Sequence, residues 1–267
     1  MPYVIRITKA GRTMEIERYY TSRYKKKGIK RGEKVKPTTE QQKKINTRKA
    51  ERELRILINA NYGYGDYHMV LDYIRKKGEA PRSMEQMRKD IDIFLRECRK
   101  EYKKAGLAFK YIHVMEIGDK GARHHHLVIN KIDTKILQKC WYKAYEGHNR
   151  IRVIPLDDTG DYSDLASYLI KYTDKHRKEE DGALQKKRWN ASKNLYRPVP
   201  EYRIITDREY FRAEARPVKG YYVDKDSIRR GIHSPEYYGY GYFSYRLIQI
   251  GDTGKKAGDE GGQRKKE

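Results

Sequence analysis

Apolar side chains recur along the middle of the chain with two different periods. In residues 67–73, 111–117 and 124–130 they form short runs that predict β-strands. In residues 84–105 they recur every three or four positions, which predicts an amphipathic helix that begins after the cap residue Ser83. The apolar positions of this helix are Met87, Ile91, Phe94, Cys98 and Tyr102.

Three more elements complete this region. The patterns predict a helix over 133–145, a strand over 150–154 and a helix over 161–175. The order is then strand, helix, two hairpin strands, helix, strand, helix. This order predicts an α+β fold, in which an antiparallel sheet has helices packed on one face. The opposite face of the sheet is left for the last helix and for a binding site.

The first 58 residues are predicted to form a basic extension. Residues 3–8 and 13–19 alternate apolar and polar side chains around a glycine, which predicts a hairpin. Residues 23–31 are rich in lysine and arginine and are interpreted either as a solvated loop or as a DNA contact. Residues 39–59 predict a polar helix.

The segment after residue 175 carries a weaker signal. Residues 203–206 and 242–250 predict strands. Alternating Tyr and Gly in 238–243 would suit a ribbon that stacks on bases, but plain strand patterning also explains them and is the preferred interpretation. The expected divisions are 1–58 as the basic extension, 59–180 as the main domain, 181–250 as a basic, tyrosine-rich extension and 251–267 as a disordered tail.

Three polar side chains in the predicted hairpin are candidate metal ligands. His124 and His126 lie two residues apart in a strand, so they share one face, with α-carbons roughly 6–7 Å apart. If the hairpin turns around Lys120, Glu116 is directly opposite His124 on that face. Any register whose paired residue numbers sum to an even value keeps this arrangement, and an odd register breaks it.

Two interpretations of these side chains remain open. Two imidazoles and one carboxylate suit Mg²⁺, Mn²⁺ or Zn²⁺, and the sequence alone does not separate these ions. Alternatively, three consecutive histidines form only the polar end of a strand, because most histidines are not ligands.

The helix over 161–175 carries candidate nucleophiles. Its aliphatic side chains fill one arc of the helical wheel, and a neighbouring arc contains Tyr168, Lys171, Tyr172 and Lys175. A lysine beside a phenol favours ionisation of the phenol and neutralises a bound phosphate. In the alternative, both tyrosines belong to the apolar stripe, but the helix already has an aliphatic face without them.

Together these residues resemble the HUH endonuclease superfamily, and most closely the rolling-circle replication initiators of small single-stranded-DNA phages and related plasmids or prophages. The similarity rests on Glu116 eight positions before His124, on the His-x-His strand, and on the paired tyrosines within 168–175. It covers roughly residues 59–195.

Two positions depart from the family pattern. Asp72 stands where the first motif of the family has threonine, at the end of a hydrophobic strand. His125 stands where a bulky hydrophobic residue is expected between the two ligand histidines.

The resemblance implies a fold, an activity and a set of roles. The fold is that of HUH endonucleases, which is related to RRM and ferredoxin-like folds. The activity is nicking and rejoining of single-stranded DNA at an origin, with Mg²⁺ or Mn²⁺ and a 5′-phosphotyrosine intermediate. The implied metal ligands are Glu116, His124 and His126, and the implied catalytic residues are Tyr168, Tyr172, Lys171 and Lys175.

Composition agrees with a nucleic-acid ligand. The 267 residues include 61 Lys and Arg against 37 Asp and Glu, and the net charge of +24 attracts polyanions. The 25 tyrosines supply faces on which unpaired bases can stack. A non-catalytic nucleic-acid-binding protein would share these features. Other HUH nucleases are further alternatives, although the paired tyrosines and basic flanks argue against a transposase, and a relaxase carries its tyrosine near the N-terminus.

The sequence also suggests a compartment and partners. No stretch approaches the roughly 20 apolar residues of a transmembrane helix, and a charge interrupts the apolar start of the chain, unlike a signal peptide. Cys98 and Cys140 are isolated in sequence, without zinc or redox spacing, so we expect a reducing cytoplasm, here that of a bacterial host. The sequence lacks the Gly-rich phosphate-binding loop, with its lysine, that a helicase needs to hydrolyse nucleotides. A host helicase and polymerase are therefore expected partners, in addition to single-stranded DNA.

Overall fold

The computed structural model describes residues 3–21, 39–74, 80–118, 121–146, 149–176, 187–232 and 241–250. Its elements in chain order are β1 (Tyr3–Ala10), β2 (Thr13–Tyr20), α1 (Thr39–Asn61), β3 (Tyr67–Tyr73), α2 (Met84–Lys104), β4 (Tyr111–Ile117), β5 (Arg123–Ile129), α3 (Thr134–Ala144), β6 (Asn149–Pro155), α4 (Ser163–His176), β7 (Asn190–Ala191), β8 (Glu201–Ile205), α5 (Asp207–Phe211), β9 (Tyr221–Ile232) and β10 (Gly241–Gln249). The predictions for 23–31, 238–240 and 251–267 fall outside the described residues.

The strands form two five-stranded antiparallel sheets, which confirms the predicted α+β class. One compact unit, Ala50–Tyr196, contains the sheet with strand order β6-β3-β5-β4-β7. The other unit contains the described residues within Met1–Lys49 and Arg197–Glu267 and has the strand order β8-β1-β2-β10-β9. These units differ from the divisions expected at 58/59 and 180/181.

Alternate side chains of the Ala50–Tyr196 sheet pack into two separate cores. Leu71 and Leu127 face α2 and α3, whose Met87, Phe94 and Trp141 are also buried. Val114 and Val128 face the other way, toward α1 and α4. The central strand β5 is therefore buried on both faces. None of the described helices is long and apolar enough to cross a membrane.

The helix α2 begins where the sequence predicted. The Ser83 hydroxyl accepts a hydrogen bond from the backbone N–H of Gln86, and the Gln86 side chain accepts one from the backbone N–H of Ser83. This reciprocal pair satisfies donors that a helix start otherwise leaves unpaired. The helix thereby holds its apolar stripe against the sheet.

A chain of buried polar groups crosses the core between the sheet and α2. The Tyr73 hydroxyl donates to Asp90 (3.1 Å), and Asp90 also accepts two hydrogen bonds from Arg82 (2.8 and 2.9 Å). Because the phenol proton points to the carboxylate, the Tyr73 oxygen accepts from Nε2 of His125 (2.8 Å). Nδ1 of His125 then accepts from Nε2 of His113 (3.0 Å). The unexpected histidine in the middle of β5 is thus fully hydrogen-bonded.

The two cysteines, which are far apart in the sequence, meet in the same core. Cys98 on α2 and Cys140 on α3 are both buried, and their thiols are hydrogen-bonded to each other. Burial raises the pKa of the Cys98 thiol, so this group stays protonated and packs as a small apolar side chain. Packing of α2 on α3 brings them together, which spacing along the chain did not indicate.

The terminal segments share one sheet. The predicted hairpin β1–β2 lies in its centre, with β8 paired to β1 and β10 paired to β2. The helix α5 packs against it through Tyr210, whose ring stacks on that of Tyr3 with 4.0 Å between centroids. The sequence predicted β8 and β10 but missed β9, because its side chains are mostly exposed and show no apolar period.

We expect Tyr73→Phe to lower the free energy of unfolding by about 1–3 kcal/mol. The change removes only the hydroxyl, so Nε2 of His125 loses its buried acceptor while Asp90 keeps Arg82. Urea denaturation would measure the difference. The control is Tyr142→Phe, whose side chain is 58% exposed on α3 and should change stability by less than about 0.5 kcal/mol. Equal stabilities of the two variants would contradict a structural role for the network.

A second expectation concerns acid. Burial, together with the charge on His126, lowers the pKa of His113 to about 3. The unfolded chain therefore binds a proton at His113 that the folded chain does not, and stability is lost as pH falls from about 6.5 toward 3. This one group should cost about 2 kcal/mol at pH 5. Denaturation of His113→Gln at pH 7 and pH 5 should show a smaller loss than wild type, and an identical loss would refute the assignment.

Candidate active site

The pairing of β4 with β5 decides which side chains meet. Glu116 is opposite His124, and every other pair in this ladder also sums to an even number, as the sequence analysis required. Residues 119 and 120 at the turn lie outside the described residues, but the turn ends at Gly121 with a φ of 73°, which favours glycine. The predicted register is therefore confirmed, and it places Glu116, His124 and His126 on one face.

These three side chains converge at the end of the hairpin. Nε2 of His124 lies 3.3 Å from Oε1 of Glu116, and Nε2 of His126 lies 2.5 Å from Oε2. One potential ligand atom from each residue lies within 4.8 Å of the others, so the cluster could hold a metal ion. Glu116 and His126 are almost completely buried, and the side chain of His124 is 13% exposed.

The chemistry of the cluster fits a cation. Oε2 of Glu116 and Nε2 of His126 approach closely, but neither buried atom has a hydrogen-bond partner with acceptable geometry. Burial raises the pKa of Glu116, but the adjacent imidazoles of His124 and His126 outweigh it and lower that pKa to about 2. A charged carboxylate and two imidazoles with converging lone pairs are the donor set that divalent metals use.

His68 on β3 is a neighbour that the sequence analysis did not identify. Its Nε2 lies 3.1 Å from Nδ1 of His126, and the two rings are stacked. Burial and the charges on His126 and Arg152 lower the pKa of His68 to about 4, so it is neutral near pH 7. If Nδ1 of His126 donates to His68, Nε2 of His126 keeps its lone pair for the cluster. Only the pairing of β3 with β5 reveals this contact.

The tyrosine helix α4 lies beside this cluster. Its aliphatic side chains Ala166, Leu169 and Ile170 are buried in the core, as the helical wheel predicted. The Tyr168 ring is 38% exposed, and its centroid lies 5.4 Å from that of His126. Lys171 is exposed on the same helix. Tyr172 and Lys175 belong to the helix backbone, but their side chains lie outside the described part of the structure.

The sheet adds charged side chains next to the cluster. Asp72, Arg150 and Arg152 are on the same face, because Asp72 is paired with His124 on one side and with Arg150 on the other. Arg150 donates to Asp72 at 3.2 Å, and Arg152 donates two hydrogen bonds at 3.1 and 3.2 Å. Asp72, for which the resemblance led us to expect threonine, is therefore paired with Arg150 and Arg152. The sequence did not indicate these contacts, because they depend on the pairing of β6 with β3.

Comparison with known proteins identifies the same region. Residues 66–177 match a protein-family model described as replication-associated protein ORF2/G2P. This range runs from β3 through α4 and contains Glu116, His124, His126 and Tyr168, but it is less than half of the chain. No curated protein and no solved structure gives a significant match. The match to replication-associated proteins supports a role as a replication initiator.

Proposed function

We propose that this protein is a rolling-circle replication initiator that nicks and rejoins single-stranded DNA through a metal-assisted tyrosine nucleophile. The observation that carries the proposal is the convergence of Glu116, His124 and His126 next to the ring of Tyr168. The replication-associated family match over the same residues supports it. The resemblance to HUH endonucleases supplies the reaction class.

The metal ligands would be the carboxylate of Glu116, Nε2 of His124 and Nε2 of His126. Three protein ligands leave coordination positions for a substrate oxygen, and Mg²⁺ or Mn²⁺ bound there would act as a Lewis acid on a non-bridging phosphate oxygen. His68 would hold the ring of His126 in the orientation and tautomer that present Nε2.

The nucleophile would be the hydroxyl of Tyr168. Its oxygen would attack the phosphorus and form a bond to the phosphate that remains on the new 5′ end, while the bond from phosphorus to the 3′ oxygen breaks. The phenol loses its proton and the departing 3′ oxygen gains one, so a free 3′-hydroxyl results. Attack by a 3′-hydroxyl on the phosphotyrosine reverses the step and rejoins the strand.

Other side chains of α4 would act at the same phosphate. Lys171, and Lys175 one turn further on, would offset the charge that develops on it. Tyr172 would act as a second nucleophile, so that one tyrosine remains attached while the other cuts. The free 3′-hydroxyl primes synthesis, and this requires a polymerase and a helicase, which we assign to a bacterial host cell.

Covalent trapping tests the chemistry. Purified protein, Mn²⁺ or Mg²⁺ and labelled single-stranded oligonucleotides from the neighbouring genome should give an adduct that survives a denaturing gel. The adduct should be lost in Tyr168→Phe/Tyr172→Phe and on addition of a chelator, because no nucleophile or no metal remains. Each single variant would show which tyrosine attacks.

Tyr142→Phe provides the matched control, because it removes an exposed phenol from a helix that packs with α2 in the other core. It should form the adduct as wild type does. If tight DNA binding occurs with no adduct from any of the oligonucleotides, the protein is a non-catalytic nucleic-acid-binding protein. An adduct that persists in the double tyrosine variant would point to a different nucleophile.

The role of His68 gives a prediction that does not depend on catalysis. His68→Phe keeps a ring but removes the acceptor for Nδ1 of His126, and should weaken Mn²⁺ binding by about 10- to 100-fold. Isothermal titration of the metal alone would measure this. His68→Gln restores an acceptor oxygen and should recover most of the affinity. Equal affinities in all three proteins would exclude His68 from holding the ligand.

A further inference from the structure

Asp72 holds two arginines that remain open to solvent. Its carboxylate accepts three hydrogen bonds from Arg150 and Arg152, and its own side chain is only 12% exposed. The side chains of Arg150 and Arg152 are 60% and 51% exposed. A guanidinium has five N–H donors, and at most two from each arginine are directed at Asp72. The remaining donors belong to side chains that are more than half exposed, so a ligand in solution can reach them.

The arginines are aligned with the metal cluster across the sheet. Arg150, Asp72, His124 and Glu116 are paired in that order on four adjacent strands, so all four project from one face. Two residues further along their strands, Arg152 and His126 are aligned in the same way, with Val70 of β3 between them. Neighbouring strands lie about 4.8 Å apart, so the arginine strand is about 10 Å from the histidine strand.

The charges at this place suit an anion. Two guanidinium groups against one carboxylate leave an excess positive charge at the exposed edge of the sheet. Exposed ion pairs of this kind add little stability. Planar guanidinium groups match phosphate oxygens with paired hydrogen bonds, and holding them in place reduces the entropy lost on binding.

We propose that Arg150 and Arg152 form a phosphate-binding site for single-stranded DNA that flanks the scissile phosphate, with Asp72 as their positioning residue. This inference rests on the proposed function, because it takes the Glu116, His124 and His126 cluster as the place of cleavage. The DNA backbone then crosses the strands from the tyrosine helix, over the cluster and Asp72, to the edge strand β6.

The test measures binding of a labelled oligothymidylate by fluorescence anisotropy at several salt concentrations. Each phosphate contact with single-stranded nucleic acid contributes about 0.7 to the slope of log affinity against log salt. Arg150→Gln/Arg152→Gln should lower that slope by about 0.7 and weaken binding about fivefold at 0.1 M salt. Arg150→Lys/Arg152→Lys keeps both charges and should keep most of the slope while losing part of the affinity.

Two further variants keep the test decisive. Arg96→Gln removes an arginine that is similarly exposed and paired with a carboxylate, Glu97, but on α2, and it should leave the slope unchanged. In the double variant the carboxylate of Asp72 has lost both arginine partners, and this could disturb folding. The triple variant Asp72→Asn/Arg150→Gln/Arg152→Gln removes that carboxylate as well, so the test does not depend on whether the double variant folds. If the double and triple variants bind like Arg96→Gln, the phosphate site is excluded.

Failure of this site and failure of the catalytic proposal give different results. If adducts form and the slope is unchanged in the arginine variants, the arginines have no phosphate role while the nuclease proposal stands. If no adduct forms but the slope falls by about 0.7, the phosphate site exists on a protein that only binds DNA.

Discussion

The arrangement of this protein depends on the register of β4 against β5. On one face the register joins Glu116 with His124 and His126, and on the other it joins His113 with His125. A slip by one residue would turn one strand over against the other, which would separate Glu116 from His124 and His126, and His113 from His125. If β5 turned over, the imidazoles of His124 and His126 would enter the α2–α3 core. The polar groups therefore favour an even-sum register over an odd one.

The same sheet face serves two purposes along its length. Toward one end, Val114 and Val128 are sealed by α1 and α4, and this apolar contact fixes the tyrosine helix in place. Toward the other end, the polar row from Glu116 to Arg150 is uncovered enough to leave the guanidinium groups in solvent. Tyr168 lies where the two parts meet, with its ring against His126. A rigid hydrophobic contact thus positions an accessible phenol.

Features set by neighbours in sequence were predictable, and features set by distant pairing were not. The Ser83 cap, the apolar stripe of α2 and the shared face of Glu116, His124 and His126 follow from local periodicity and one hairpin. The contacts of His68 and the arginine partners of Asp72 depend on β3 lying between β5 and β6, which periodicity does not determine. The helical wheel separated the aliphatic face of α4 from Tyr168 and Lys171, but it could not show how close Tyr168 lies to His126.

The sheet made from strands within residues 3–20 and 201–249 imposes an order on folding during synthesis. The hairpin β1–β2 leaves the ribosome long before its neighbours β8 and β10, which come from residues beyond 200. The Ala50–Tyr196 unit is complete before those strands exist, so it can fold while the hairpin still has two unpaired edges. A nascent or truncated chain therefore exposes a strand pair that is open to association with other chains until its last described strand arrives.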